Sequence, residues 1–239
     1  NAAGDALLYS TYIGGTRDEV SVGGIAVTAN GEVLFGGLSQ SNDFPTTAGS
    51  YRPSNNTGPA AEVVALKINA AGNALVYSTY LGSNVNERLF GFAVDSGGRI
   101  VVAGQTVAGA GTPFPVTPGA YNATGDQFVT KIAADGGSLV WSTNFGESFG
   151  GGIRIRALAL DASDNVYFTG LVSSLSAATF PLQNAFDTTL NGDFDGFVTK
   201  MAANGGSLIY STFLGGSNTD EPLAIAVDSA GSAYVAGTG

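Results

Sequence analysis

The sequence has no cysteine and no histidine, one methionine and one tryptophan, and charged side chains make up just 12% of its 239 residues. Without cysteine there can be no disulfide, no thiolate nucleophile and no cysteine-ligated zinc or iron–sulfur centre, so stability has to come from packing. Without histidine the commonest general base and the commonest transition-metal ligand are missing together. Nine basic against nineteen acidic side chains give a net charge of −10. That charge repels a phosphate backbone and an anionic membrane surface, so nucleic acid is not expected as a partner. No run reaches the roughly eighteen apolar residues of a membrane span. Residues 1–5 lack the charged-then-apolar order of a signal peptide, so prior processing or a start inside a longer chain is expected.

What is abundant is glycine, 36 residues, together with a 44% apolar content that can bury a large core. These residues fall into a repeat. Leu8-Tyr9-Ser10-Thr11-Tyr12-Ile13-Gly14 returns at Val76–Gly82, Val140–Gly146 and Ile209–Gly215, with spacings of 68, 64 and 69 residues. A second element runs from Ile25-Ala26-Val27 to Gly37 and recurs at 92–104, 158–170 and 225–237, with eleven residues from alanine to glycine each time. Its midpoint is rich in Asp, Asn and Gly, the chemistry of a tight hairpin turn. A third element, Val63-Val64-Ala65-Leu66-Lys67, is matched by Phe128–Lys131 and Phe197–Lys200, each followed by a turn and the first element again. These β-branched runs read as a second hairpin, so one repeat is four strands.

No segment carries helical periodicity over ten or more residues, so the chain is expected to be all-β. Four antiparallel strands per unit, apolar on both faces, predict sheets that stack on one another, the arrangement of a β-propeller. The period of about 67 residues is too long for the short coils of a β-solenoid. The expected blades are 22–82, 90–146 and 155–215, with 225–239 and 7–14 as parts of a fourth, within a single domain.

The segments Tyr-Ser-Thr-Tyr-Leu-Gly, Ile-Ala-Val-Asp, Ala-Tyr-Val-Ala-Gly, Asp-Phe-Pro-Thr-Thr and Phe-Val-Thr-Lys resemble the SBBP family of bacterial β-propeller repeats. The resemblance implies one blade per repeat and a secreted or cell-surface setting, often within larger polypeptides. It implies no activity. A seven-bladed ring of that family would need roughly twice this length. The 239 residues are therefore expected to be a segment of a longer chain, or to be completed by another copy.

Several residues invite a functional reading. Gly146-Glu147-Ser148-Phe149-Gly150 fits a nucleophile-elbow pattern, but the elbow needs a strand-to-helix turn and a histidine, so an interblade turn is expected. Asn191, Asp193 and Asp195 alternate like the start of a calcium loop. Position twelve of such a loop would be Ala202, and Asp195 has counterparts in Asp126 and Glu62, so a structural Asx turn is the main expectation and calcium the alternative. Lys67, Lys131 and Lys200 share one repeat position; they are expected to lay their stems on a blade and pair with a carboxylate. Arg154 and Arg156 share a strand face and are expected to find acidic partners across a blade edge. Each long loop carries two aromatics, Phe44 and Tyr51, Phe114 and Tyr121, Phe180 and Phe186, as anchors for the loop or as contacts for a sugar or protein. Asn55-Asn56-Thr57 and Asn122-Ala123-Thr124 are glycosylation sequons, expected to stay unused.

No catalytic group recurs while the loops vary, so the leading expectation is a non-enzymatic extracellular or cell-surface scaffold that presents loops to a protein or glycan. Two alternatives stand beside it. One is a structural subunit that self-assembles by strand completion. The other is a glycosidase or lyase that uses two carboxylates roughly 5–10 Å apart at the mouth of a central channel.

Overall fold

The structure, a computed structural model, describes residues 3–55, 60–106, 114–147 and 152–239, and of Ser21 and Val22 the backbone alone. Fourteen strands are described. β1 (Glu19–Val27), β2 (Val33–Ser39), β3 (Glu62–Ile68) and β4 (Leu75–Leu81) form the first antiparallel sheet in that order. β5 (Glu87–Val94), β6 (Ile100–Thr106), β7 (Gln127–Ile132) and β8 (Leu139–Phe145) form the second. β9 (Ile153–Leu160), β10 (Val166–Ser173), β11 (Phe194–Met201) and β12 (Leu208–Leu214) form the third. β13 (Glu221–Val227) and β14 (Ala233–Thr238) make a trailing hairpin. A six-residue 3-10 turn, Ser174–Thr179, is the one helical element among the described residues, and no helix is long and apolar enough to cross a membrane.

Residues 8–14, expected as an outer strand, belong to no sheet. In each blade the matching segment pairs with the strand just before it in sequence, β4 with β3, β8 with β7 and β12 with β11. The segment instead lies against the first blade, with the Tyr9 ring over the β3–β4 turn.

Turn chemistry fixes the register. The turns after β3, β7 and β11 place Gly72, Gly136 and Gly205 at φ of 70°, 70° and 69°, where a β-carbon would be strained. It would also run into the ring of Tyr9, Tyr77 or Trp141 respectively, which lies across the turn. The hairpins β1–β2, β5–β6 and β13–β14 turn on Gly31, Gly98 and Gly231, all left-handed, and in β9–β10 the same position is Asp164 at φ 61°.

The sheets stack in chain order, β1 on β5, β5 on β9 and β9 on β13. The core lies between them. Leu34, Val63, Tyr77, Leu89, Val102 and Phe128 fill the first junction, and Phe145, Ile155, Phe168, Phe197 and Phe213 the second. Full burial of one such side chain stabilises by about 1.5–3 kcal/mol.

Asp164 shows how adjacent turns are fastened. Its carboxylate accepts the Ser96 amide at 2.9 Å and the Ser96 hydroxyl at 2.7 Å, joining the hairpin turns of the second and third blades. The left-handed backbone costs this residue about 1 kcal/mol, and those two bonds offset it. Asp164→Ala keeps the strain and loses the bonds, so it is expected to destabilise by about 1–2 kcal/mol. Asp164→Gly loses the same bonds but relieves the strain, so urea unfolding should place it nearer the parent chain. Equal losses in the two variants would show that the backbone is not strained.

Candidate functional site

A buried knot of charges lies where the first two blades meet. Glu62 opens β3 and Glu87 opens β5, with exposures of 0% and 2%. Arg52, from the long loop between β2 and β3, ion-pairs with Glu62 at 3.0 Å. Its guanidinium also donates to the carbonyls of Gly82 at 2.7 Å and Ser83 at 3.2 Å. Glu87 Oε1 accepts the Ser83 amide at 2.8 Å and the Ser83 hydroxyl, while Oε2 has no hydrogen-bond partner among the described residues. Burial pushes the Glu87 carboxyl up to about 7; the Ser83 bonds and Arg52 oppose the rise and the Glu62 charge adds to it.

The acidic position of Glu62 recurs as Asp126 and Asp195, both buried. Asp126 accepts the side-chain amides of Gln105 at 3.4 Å and Gln127 at 3.1 Å. Gln127 in turn accepts the Ile155 amide of the third blade at 3.1 Å. Asp195 accepts the amides of Asn191 at 2.9 Å and Gly192 at 3.0 Å, one on each oxygen. Both oxygens therefore face N–H donors of their own loop, the geometry of a turn-closing carboxylate. The Asn191 side chain donates to the Thr189 carbonyl at 3.3 Å, and Asp193 stands at the loop rim beside Ser217 and Asn218. Among the described residues no group of three or more acidic side chains gathers as for a metal ion.

The loop aromatics divide into two sets. Phe44, Phe114 and Phe180 are buried, Phe44 edge-on to Tyr80, Phe114 stacked on Phe128 at 3.9 Å, and Phe180 tilted against Phe197 and Phe213. Tyr51 and Tyr121 are half-buried, and their amides donate to the carbonyls of Gly136 and Gly205, in the outer turn of the following blade. Phe186, in the third loop, is 95% exposed. Each loop is thus pinned to its own blade by one aromatic, and the first two are also tied to the next blade by a backbone bond.

Each lysine of the recurring position is paired, Lys67 with Glu32 at 2.6 Å, Lys131 with Asp95 at 3.1 Å and Lys200 with Asp161 at 3.0 Å. In the first blade Thr28 occupies the position of Asp95 and Asp161, and the carboxylate comes from Glu32, four residues later. Burial raises Asp161, yet the bonds from Asn165 and Lys200 outweigh it and hold the carboxyl well below the usual range. Arg156 reaches Glu221 of the hairpin at 2.6 Å, while Arg154 is exposed. Residues 148–150 of the elbow-like segment and 56–57 of the first sequon lie outside the described residues. Glu147 accepts the Ser176 hydroxyl. At the second sequon the Asn122 side chain is engaged by the Thr124 amide at 3.0 Å and donates to the Gly146 carbonyl at 2.9 Å.

Sequence reasoning did not find the Arg52–Glu62–Glu87 knot. A signal was present, since Gly14 to Glu19 and Gly82 to Glu87 repeat one spacing of five residues. In both, the glutamate accepts bonds from serines, Ser39 and Ser41 at the end of β2 for Glu19 and Ser83 in the β4–β5 connection for Glu87.

Meandering four-stranded antiparallel sheets, stacked by their faces with β1, β5, β9 and β13 in succession, define a β-propeller repeat protein. The family model of the SBBP beta-propeller repeat matches residues 209–239, the span of β12, β13 and β14. The internal repeats carry the same pattern back through the chain. No curated protein matches. Among solved structures, the chain is similar to a protein of unknown function from Bacteroides caccae, at 15% identity and a TM-score of 0.46. The match covers 92% of this chain and 54% of that one, so the chain spans about half of that protein's length.

Proposed function

We propose that this chain is a non-enzymatic scaffold of the cell surface or extracellular space that presents fixed loops to a protein or glycan. The observation that carries the reading is the tethering of the long loops: Phe44, Phe114 and Phe180 pin each to its own blade, and in the first two the Tyr51 and Tyr121 amides tie it to the next as well. Loops held at both places keep one shape, which lowers the ordering cost of binding. In the third loop Leu175 and Phe186 stand outward, 92% and 95% exposed, as apolar contacts for a partner. The buried state of Glu62 and Glu87 also supports the non-enzymatic reading, because a carboxylate pair cleaving a polymer has to reach it.

The test is biolayer interferometry against panels of surface glycans and extracellular proteins. Leu175→Ser with Phe186→Ser is expected to weaken the selected interaction at least about tenfold, the loss of two apolar contacts. Unchanged affinity would remove the loop from the reading. Turnover of a polysaccharide that Glu62→Gln abolishes would overturn the scaffold itself, and recovery of the native protein from the cytosol would overturn its location.

A second reading, a subunit of an extracellular assembly joined by strand completion, is favoured by one observation. Among the described residues β14 pairs with β13 alone, and residues 8–14 carry strand sequence and pair with no sheet. Association that vanishes on removal of residues 1–14 is its expected signature; a constant monomer rejects it.

A further inference from the structure

An open cleft of about 390 Å³ lies between the second and third blades, within the roughly 300–1,000 Å³ of small-ligand sites. Both of those blades are complete four-stranded sheets. On the side of the second blade, Arg99 is held down on its own turn. Its amide donates to Asp95 Oδ1 at 2.9 Å and its Nε to Oδ2 at 2.8 Å. A β-carbon at Gly97 would stand 3.0 Å from Arg99 Nη2, so the glycine makes room for the guanidinium. The two terminal nitrogens of Arg99 have no hydrogen-bond partner among the described residues, and the side chain is 36% exposed. Trp141 closes the cleft beside it, buried and fixed by its Nε1 bond to the Ala203 carbonyl, and Val140 offers an apolar surface that is 44% exposed. On the side of the third blade stand Asp164, Ser163 and Asn204, the last two exposed. The Asp164 carboxylate uses one lone pair of each oxygen on Ser96 and keeps the others. The charges balance, Arg99 and Lys131 against Asp95 and Asp164. At the first junction the positions of Arg99, Ser163, Asp164 and Asn204 are held by Glu32, Gly97, Gly98 and Asp135. Both the free donor and the turn carboxylate are therefore particular to the second junction.

We infer that this cleft binds one pyranose ring of a neutral glycan. Sugar hydroxyls both donate and accept, and the cleft offers each partner: the terminal N–H groups of Arg99 as fixed donors and the spare lone pairs of Asp164 as acceptors. Hydrogen bonds to charged groups are the stronger ones, and both groups are already positioned by Asp95 and Ser96 before a ligand arrives. The C–H face of the ring lies on Val140, while Ser163 and Asn204 stand at the rim for further hydroxyls. A neutral sugar fits a cleft whose own charges cancel, and the net charge of −10 on the chain repels an acidic polysaccharide. The inference rests on the glycan branch of the proposed function, but it uses no residue of the long loops, so the two can fail separately.

Trp141 is the one tryptophan of the sequence, so its fluorescence reports on the cleft directly. The methyl glycosides of glucose, galactose, mannose and N-acetylglucosamine are titrated to millimolar concentrations, with saturation-transfer NMR of the glycoside as the second readout. At least one is expected to bind saturably, and methyl glucuronide is expected to bind no tighter than that one. Arg99→Glu, and Ser163→Gly together with Asp164→Gly, install residues that the fold already carries at the first junction. Each is expected to weaken binding about tenfold, the loss of hydrogen bonds to a charged group. Thermal unfolding shows whether these variants are folded; should Arg99→Glu fail to fold, Arg99→Gln keeps the stem and gives the same reading. Leu175→Ser with Phe186→Ser is expected to bind the glycoside as the parent does. Absence of saturable binding by both readouts for all four glycosides overturns the inference, as do cleft variants that bind like the parent. Tighter binding of the glucuronide than of every neutral glycoside overturns it too. Binding lost in the Leu175 and Phe186 variant but kept in the cleft variants would move the glycan to the third loop and leave the scaffold reading standing.

Discussion

Arg52→Ala is expected to lower the unfolding free energy by about 3 kcal/mol. The guanidinium is 20% exposed and faces a fully buried Glu62, and it spans from the β2–β3 loop to the carbonyls of Gly82 and Ser83 where the next blade begins. Removing it takes away the cation that ion-pairs with a desolvated carboxylate, and the loop loses its tie to the β4–β5 connection. A suitable control is Arg156→Ala, whose pair with Glu221 has partners 27% and 32% exposed. There water and counter-ions replace most of what is lost, and the expected cost stays under about 1 kcal/mol. Urea midpoints for the two variants decide the matter, and equal shifts would mean that burial adds nothing to the Arg52 contact.

The same knot should make stability fall as pH rises through neutrality. Glu87 is displaced upward from the ordinary 4.5 to about 7, by burial first and by the Glu62 charge in addition, against Arg52 and the Ser83 bonds. Between those values the folded chain holds a proton that the unfolded chain has released. The contribution is therefore fully present below about pH 4.5 and lost as pH passes 7, a change of at most about 3 kcal/mol. Asp95 and Asp161 act in the opposite sense and in another window: their depressed carboxyls stabilise above the ordinary aspartate range and cease to do so in acid. Glu87→Gln keeps the acceptor for Ser83 and cannot ionise. Thermal unfolding of this variant should be nearly flat from pH 5 to 8 and should exceed the parent at pH 8. Parallel curves for the two proteins would refute the assignment.

The four-stranded unit was legible in the sequence because its turns and strands repeat with their side chains, and the alanine-to-glycine spacing falls on the observed hairpins in all four copies. The pairing of Lys67, Lys131 and Lys200 was legible for the same reason, although the use of Glu32 in place of an aspartate four residues earlier was not. Residues 8–14 carry strand sequence yet pair with no described sheet, because strand sequence specifies what can pair and not whether an edge is offered. The recurring bulges, such as those between Leu89 and Gly91 or Pro222 and Ala224, left no sign in composition. The Arg52–Glu62–Glu87 knot was hidden for a related reason: its members come from a loop and two strands of different blades, and burial of a carboxylate depends on what packs over it.

The fastenings between blades all point the same way. Tyr9 lies on the Gly72 turn, Tyr77 on the Gly136 turn and Trp141 on the Gly205 turn, where the indole also donates to the Ala203 carbonyl at 2.8 Å. The Tyr51 and Tyr121 amides reach forward to the same turns. During synthesis, each of these rings leaves the ribosome well before the turn that receives it. A nascent blade therefore remains open on its forward side until the following one has been translated. A pause in mid-repeat would hold one aromatic uncovered for its whole duration, whereas a pause just after a receiving turn would leave every earlier junction shut.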